Sequence, residues 1–190
     1  MNIAVIGSGG REHSICFKLK QSKQTNKIFC IPGNAGTSAI AENINIDVLN
    51  FKSISEFLKN NNIKIVFVGP EVPLVKGIKD YLEKKGFFVF GPSKAASRLE
   101  KSKSFTKQLC KKYKIPTAQY KSFSSMKGVK EYIKKMNTPI VIKADGLASG
   151  KGVFICNNKN EALQKCKEIN QGKFKSSKKF VIEEFLSGEE

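Results

Sequence analysis

The chain has 190 residues, 40% of them hydrophobic and 26% charged, a composition that buries a core and excludes a disordered tail. Its formal charge is +18, from 34 Lys+Arg against 16 Asp+Glu, yet only Arg11 and Arg98 are arginine. Base-edge and bidentate phosphate readers favour arginine, so the spread lysines read as a solvated surface. Attraction of small phosphorylated substrates comes second and nucleic-acid binding last.

No apolar run approaches the roughly 20 residues of a membrane helix, and the longest, 63–70, contains Lys64. Gly7, Ser8, Gly9, Gly10, Arg11 and Glu12 interrupt the only apolar start, so no secretory signal is read there. The cysteines Cys16, Cys30, Cys110, Cys156 and Cys166 are odd in number and never spaced C-x-x-C, which fits neither a disulfide framework nor a zinc site. A cytoplasmic location is expected.

In chain order, residues 2–6 predict a strand, 11–21 a helix, 27–31 a strand, 53–61 a helix, 64–68 a strand, 73–85 a helix and 87–90 a strand. Strands separated by helices of this length predict a parallel sheet. Each strand ends in a Gly or Pro turn: Gly7-Ser8-Gly9-Gly10, Pro32-Gly33-Asn34, Gly69-Pro70-Glu71 and Gly91-Pro92-Ser93. In an open α/β sheet the ligand lies outside the carboxyl ends of the strands, so these turns mark the expected site. A lysine-rich helical stretch follows over 94–114, stopped by Pro116. The remainder predicts strand 119–123, helix 126–136, strands 139–143 and 153–156, helix 160–169, an exposed loop 171–178 and strand 180–185, an α+β unit. The final 186–190 offer no closing element, so the chain is expected to be a cut piece.

Gly7-x-Gly9 after a strand invites a dinucleotide reading, but the third glycine is replaced by Glu12 and no acidic residue ends the second strand, which closes Ile31-Pro32-Gly33. What remains is a glycine turn offering backbone N–H groups to a phosphate beside Arg11, or a tight turn with no ligand at all. His13, the only histidine, reads as structural, because no Ser or Cys partner makes a nucleophilic pair. Asn34, Gly36 and Glu71 add an amide, permissive backbone and a carboxylate to the same edge. Singly these are turns; jointly with Arg11 they could hold a phosphorylated sugar.

The second half carries the sharper pattern. Residues 140–146 run Ile-Val-Ile-Lys-Ala-Asp-Gly and place Lys143 at a strand end, surface or functional when taken alone. Ser149-Gly150-Lys151-Gly152 then leads into the next strand. No Gly-x-x-x-x-Gly-Lys-Ser/Thr opens a helix here, so this is not a P-loop. A glycine hairpin can instead fold over phosphates, with Lys143 and Lys151 offsetting their charge. The run Glu183-Glu184-Phe185-Leu186 sets carboxylates and strand backbone beside apolar side chains, which suits an adenine edge followed by a ribose.

Taken together, Gly7–His13, Pro32–Thr37, Val68-Gly69-Pro70-Glu71-x-Pro73-Leu74, Ile142-Lys143-Ala144-Asp145-Gly146-Leu147-Ala148-x-Gly150-Lys151-Gly152-Val153 and Glu183-Glu184-Phe185-Leu186-x-Gly188-Glu189-Glu190 resemble, collinearly from end to end, the phosphoribosylamine–glycine ligase family of the ATP-grasp superfamily. The resemblance implies a preATP-grasp, Rossmann-like parallel-sheet domain (1–100), a connector opening the ATP-grasp domain (101–118) and an α+β ATP-grasp small subdomain (119–190), with the ATP-grasp domain incomplete.

It further implies ligation of glycine to 5-phosphoribosylamine through a glycyl phosphate in purine biosynthesis, with ATP consumed and Mg²⁺ or Mn²⁺ needed in the complete enzyme. By similarity Gly9, Gly10, Arg11, Asn34, Gly36 and Glu71 would face the phosphoribosylamine. Lys103 and Lys143 would meet ATP phosphates, Gly150, Lys151 and Gly152 would form a mobile lid, Glu183, Glu184, Phe185 and Leu186 an adenine clamp, and Glu190 a ribose contact. Loop 148–152 is expected to be disordered or mobile without nucleotide.

No catalytic group beyond the phosphate-stabilising Lys143 is expected, and no metal ligand, because the family's lie beyond Glu190. Where the family usually carries glycine before the serine of the Lys103 stretch, this chain has Lys101. The 190 residues alone are expected to be inactive. Small-molecule substrates, no nucleic acid, no membrane and a monomer complete the implied picture. Another ATP-grasp carboxylate–amine ligase, or a non-catalytic phosphate- or nucleic-acid-binding module, stand as alternatives.

Overall fold

The computed structural model describes residues 1–148, 151–174 and 177–189. The chain divides into two compact units, Met1–Ser97 and Arg98–Glu190.

The first unit is built from strands β1 (Asn2–Gly7), β2 (Ile28–Pro32), β3 (Glu42–Asn43), β4 (Ile63–Val68) and β5 (Phe88–Phe90), all parallel, in the order β3-β2-β1-β4-β5. Four helices accompany them: α1 (Gly10–Lys20), α2 (Phe51–Asn60), α3 (Glu71–Lys76) and α4 (Ile78–Glu83). Strands covered on both faces should be apolar almost throughout, and β1 is buried from Ile3 to Gly7. On one face Ala4, Ile6, Phe29, Ile31, Val66 and Val68 pack with Ile54 and Leu58 of α2 and Ile78 and Leu82 of α4. On the other, Val5, Ile28 and Cys30 meet Cys16, with Ile15 and Leu19 of α1 beside them. Each fully buried Ile, Leu or Phe contributes about 1.5–3 kcal/mol.

The single helix expected over 73–85 is two. Gly77 adopts φ +97°, where residues with a Cβ are strained, and this ends α3 and starts α4. The expected helical stretch 94–114 likewise divides into α5 (Arg98–Lys101) and α6 (Lys103–Tyr113), with Ser102 capping α6 by accepting the Phe105 N–H.

The second unit holds a four-stranded antiparallel sheet of β6 (Tyr120–Phe123), β7 (Ile140–Ala144), β8 (Val153–Cys156) and β9 (Phe180–Glu184), in the order β6-β9-β7-β8. Helices α7 (Val129–Lys134) and α8 (Lys159–Asn170) cover one face; α7 is shorter than the expected 126–136. Side chains alternate across a strand, so Ile140, Ile142 and Ala144 of β7 and Phe180 and Ile182 of β9 enter that core. The intervening Lys143 and Glu183 therefore project from the opposite face. No helix among the described residues is long and apolar enough to cross a membrane.

Candidate functional site

In the first unit the parallel strands bring their carboxyl ends to one edge, and side chains tie three of the expected turns together there. Asn34, after β2, donates its amide to Ser8 O (2.8 Å) and Gly9 O (3.4 Å), while its own carbonyl oxygens are held by the Thr37 N–H (2.9 Å) and the Asn43 amide (2.7 Å). From the start of α1, Arg11 Nη2 donates to Glu71 Oε1 at 2.8 Å, reaching the turn after β4. That bond holds the Glu71 carboxyl below the usual carboxylate range.

Gly9 and Gly10 form the glycine turn, and a methyl group built on Gly10 would meet nothing within 4 Å, so this backbone is open to approach. Gly36 lies against Asn34 and the His13 ring, with 3.2 and 3.4 Å to an added Cβ, so His13 serves as packing on the turn's inner side. The fourth turn is tied instead to α4, where Lys94 N–H donates to Asp80 at 2.7 Å.

In the second unit α6 is latched to the turn after β7. The Asp145 carboxylate, 6% exposed, accepts from Ser104 Oγ (2.5 Å), Ser102 Oγ (3.2 Å) and the Gly146 N–H (3.2 Å). Lys103 Nζ donates to Gly146 O at 2.7 Å. On the sheet, Lys143 pairs with Val181 across β7 and β9, which sets Glu183 two residues further along the same face. Lys143 Nζ lies 2.6 Å from Glu183 Oε1, and Lys107 Nζ, from α6, lies 2.5 Å from Glu183 Oε2. A cavity of about 190 Å³ is lined by Lys103, Lys107, Lys143 and Glu183, with Thr106, Cys110 and Thr117. Three ammonium groups against two carboxylates, the buried Glu183 and the exposed Glu100, leave a net positive charge on the cavity wall, the condition for an anionic ligand.

The remaining described residues of the expected site do not line this cavity; Glu184 and Phe185 border a separate one, on the α7 side, with Tyr132 and Met136. Gly152 closes the β7–β8 ladder, its carbonyl accepting the Ala144 N–H at 2.7 Å, and Lys151 donates its N–H to Ala148 O at 2.9 Å. Glu184 accepts the Gln119 N–H at 2.7 Å, while Phe185 and Leu186 are exposed. The expectations for Gly150 and Glu190, and for mobility of loop 148–152 at Ser149 and Gly150, fall outside the described residues. Among the described residues no group of three or more His, Cys, Asp or Glu side chains could hold a metal ion.

Residues 1–100 match the sequence family "Phosphoribosylglycinamide synthetase, N domain", and 101–190 match its ATP-grasp (A) domain. The chain belongs to the phosphoribosylglycinamide synthetase family. It is 46% identical to the phosphoribosylamine–glycine ligase of a Nostoc species over 193 aligned residues, covering 100% of this chain and 45% of that protein. It is 48% identical to a bifunctional purine biosynthetic protein of Dictyostelium discoideum, covering 100% of this chain and 24% of that one.

Among solved structures, the phosphoribosylamine–glycine ligase of Thermotoga maritima superposes with a TM-score of 0.80 at 33% identity, over 100% of this chain and 45% of that one. An N5-carboxyaminoimidazole synthetase of Staphylococcus aureus, solved with ADP, shares the fold at 19% identity and a TM-score of 0.71, over 98% of this chain and 48% of that one. The chain thus spans about 45% of the length of the phosphoribosylamine–glycine ligases it matches.

Within this phosphoribosylglycinamide synthetase framework, sequence reasoning did not single out Lys107, Asp145 or Glu12 as functional. Lys107 lies one helical turn beyond Lys103, the i,i+4 spacing that brings two side chains to one face, and that was the available signal.

Proposed function

We propose that this chain supplies the amino-terminal part of an ATP-dependent carbon–nitrogen ligase that joins glycine to 5-phosphoribosylamine, giving glycinamide ribonucleotide, ADP and phosphate. The observation that carries the reading is the lysine cluster around Glu183, in a chain whose two halves match the two synthetase domains in order. In the reaction, a glycine carboxylate oxygen attacks the γ-phosphorus of ATP, the bond to the β-phosphate oxygen breaks, and ADP leaves. The amine of the phosphoribosylamine then attacks the acyl carbon and phosphate departs with the C–O bond. This sequence needs no enzyme nucleophile; it needs aligned substrates and compensated charge.

In this reading Lys103 and Lys143 meet ATP phosphates, Lys151 and Gly152 belong to the covering hairpin with Gly150, and 183–186 line the adenine with Glu190 on the ribose. Gly9, Gly10, Arg11, Asn34, Gly36 and Glu71 receive the phosphoribosylamine. Mg²⁺ or Mn²⁺ is supplied outside these residues. The protein works in the cytoplasm as a monomer on small molecules, without nucleic acid or membrane.

The test is ADP formation by the protein in its natural length, expected only when ATP, glycine and 5-phosphoribosylamine are all present. ADP release indifferent to glycine overturns the reading in favour of another carboxylate–amine ligase. Duplex DNA binding that weakens steeply between low and physiological salt favours the binding-module alternative.

A further inference from the structure

We infer that Glu12 is a specificity-determining residue: its own carboxylate occupies the anion position at the switch point of the first unit's sheet and keeps a pyrophosphate out. The strand order runs outward from β1 through β2 to β3, then jumps to β4 and β5 on the other side. The order therefore reverses between β1 and β4, and the crevice at their carboxyl ends is where such a sheet takes its ligand. A glycine turn leading into a helix there ordinarily presents its amides to a pyrophosphate.

Here that place is filled from within. Glu12 Oε2 accepts the Gly9 N–H at 2.5 Å. A methyl group added to Gly69, after β4, would stand 1.8 Å from Glu12 Oε1; one added to Gly7 would stand 2.6 Å from the carboxyl carbon, and one on Gly9 2.9 Å from Oε2. Three glycines from the ends of β1 and β4 thus wall the carboxylate, and Glu12 is only 3% exposed.

An ordinary helix cap would have both oxygens satisfied or wet. Glu12 Oε1 is buried and has no hydrogen-bond partner among the described residues. A pyrophosphate would need the same N–H and the same volume, against a like charge. A phosphate-bearing ligand is therefore kept to the outer part of the turn at Gly10, where the backbone is open. The bare Oε1 is left to accept from a donor group such as a hydroxyl or amine. Only this last point, the identity of the ligand, rests on the ligase reading; the exclusion of pyrophosphate does not.

The experiment titrates inorganic pyrophosphate into the chain and into Glu12→Ala and Glu12→Ser variants, read by amide NMR at Gly7, Gly9 and Gly10. The expected result is no saturable shift at Gly9 in the parent chain and saturable binding in Glu12→Ala, tighter by about tenfold or more. A folded Glu12→Ala chain whose Gly9 amide ignores pyrophosphate, or shifts confined to lysine-rich segments, overturns the inference. Should Glu12→Ala not fold, Glu12→Ser decides, since it removes the carboxylate and most of its volume while keeping a polar side chain. Severalfold tighter binding than the parent supports the inference, and unchanged binding overturns it. No ligase substrate enters the assay, so its failure is separate from failure of the proposed function.

Discussion

Lys107, on α6, places its ammonium 2.5 Å from a carboxylate oxygen of Glu183, on β9, which is 2% exposed. The same carboxylate carries Lys143, which is 31% exposed against 12% for Lys107. The two lysines are thus unequal partners. Lys107 is the standing counterion of a buried charge, and Lys143 is the one free enough to turn toward a ligand.

Removing Lys107 leaves a buried carboxylate with one half-solvated partner. Lys107→Met should destabilise the chain by about 3 kcal/mol in denaturant unfolding, and adding Glu183→Gln should restore most of it. Lys143→Met should cost about 1 kcal/mol or less while weakening ATP binding at least tenfold. Equal stability losses for the two lysines would contradict the division of labour.

The Asp145 latch joins α6 to the turn after β7 through Ser102, Ser104 and Gly146. Asp145→Ala strands two serine hydroxyls and should lower stability by about 2–3 kcal/mol, with loss of helical signal from α6. Circular dichroism melting of the variant checks this.

Gly69 tolerates no side chain because Glu12 Oε1 fills the space. Gly69→Ala should destabilise by about 2–3 kcal/mol, and Glu12→Ala in the same chain should relieve part of that cost. Additive losses in a double-mutant cycle would show that the two positions do not meet.

The Arg11 hydrogen bond lowers the Glu71 carboxyl below its ordinary value. A depressed carboxylate adds stability above its unfolded-state value and loses it as pH falls through the folded one. The stability difference between the parent chain and Glu71→Gln should therefore be present at neutral pH and vanish with acidification below the ordinary glutamate range. Paired unfolding curves across that range measure it, and a difference that grows on acidification would refute the assignment.

Burial pushes the Cys166 thiol up to about 12 and the Cys156 thiol up to about 11, and a hydrogen bond with Cys30, together with burial, raises Cys16 well above its ordinary value. Native chain treated with a thiol reagent near neutral pH should thus label Cys110, which is half-buried, ahead of these three, and ahead of Cys30, whose thiol the Cys16 hydrogen bond lowers but which is fully buried. Denaturant should release the rest, as peptide mapping would show.

The strands and their glycine turns were legible because β-branched runs and Gly-Pro punctuation are local signals. β3 was not, since Glu42 and Asn43 pair with β2 through backbone alone and carry no apolar pattern. Gly77 looked tolerable within a helix, and only its φ of +97° shows that the chain turns there. At the site, Lys143 could be picked out because it ends an apolar strand. That Glu183 would be its buried partner depends on strand register, which no local spacing encodes. Glu12 could be read as a missing glycine and as part of the Gly7–His13 motif, but not as a filler, because the space it fills is made by residues distant in sequence.

The order β6-β9-β7-β8 puts the last of these four strands to be synthesised between two made earlier. At ribosomal rates of about 5–20 residues per second, β6 waits several seconds with its inner edge bare, whereas the first unit's sheet has all its strands once Phe90 has emerged. Within these two sheets the Lys143–Glu183 pair thus assembles late, so a ribosome stalled before β9 would hold a finished first sheet and a second one still open along its middle.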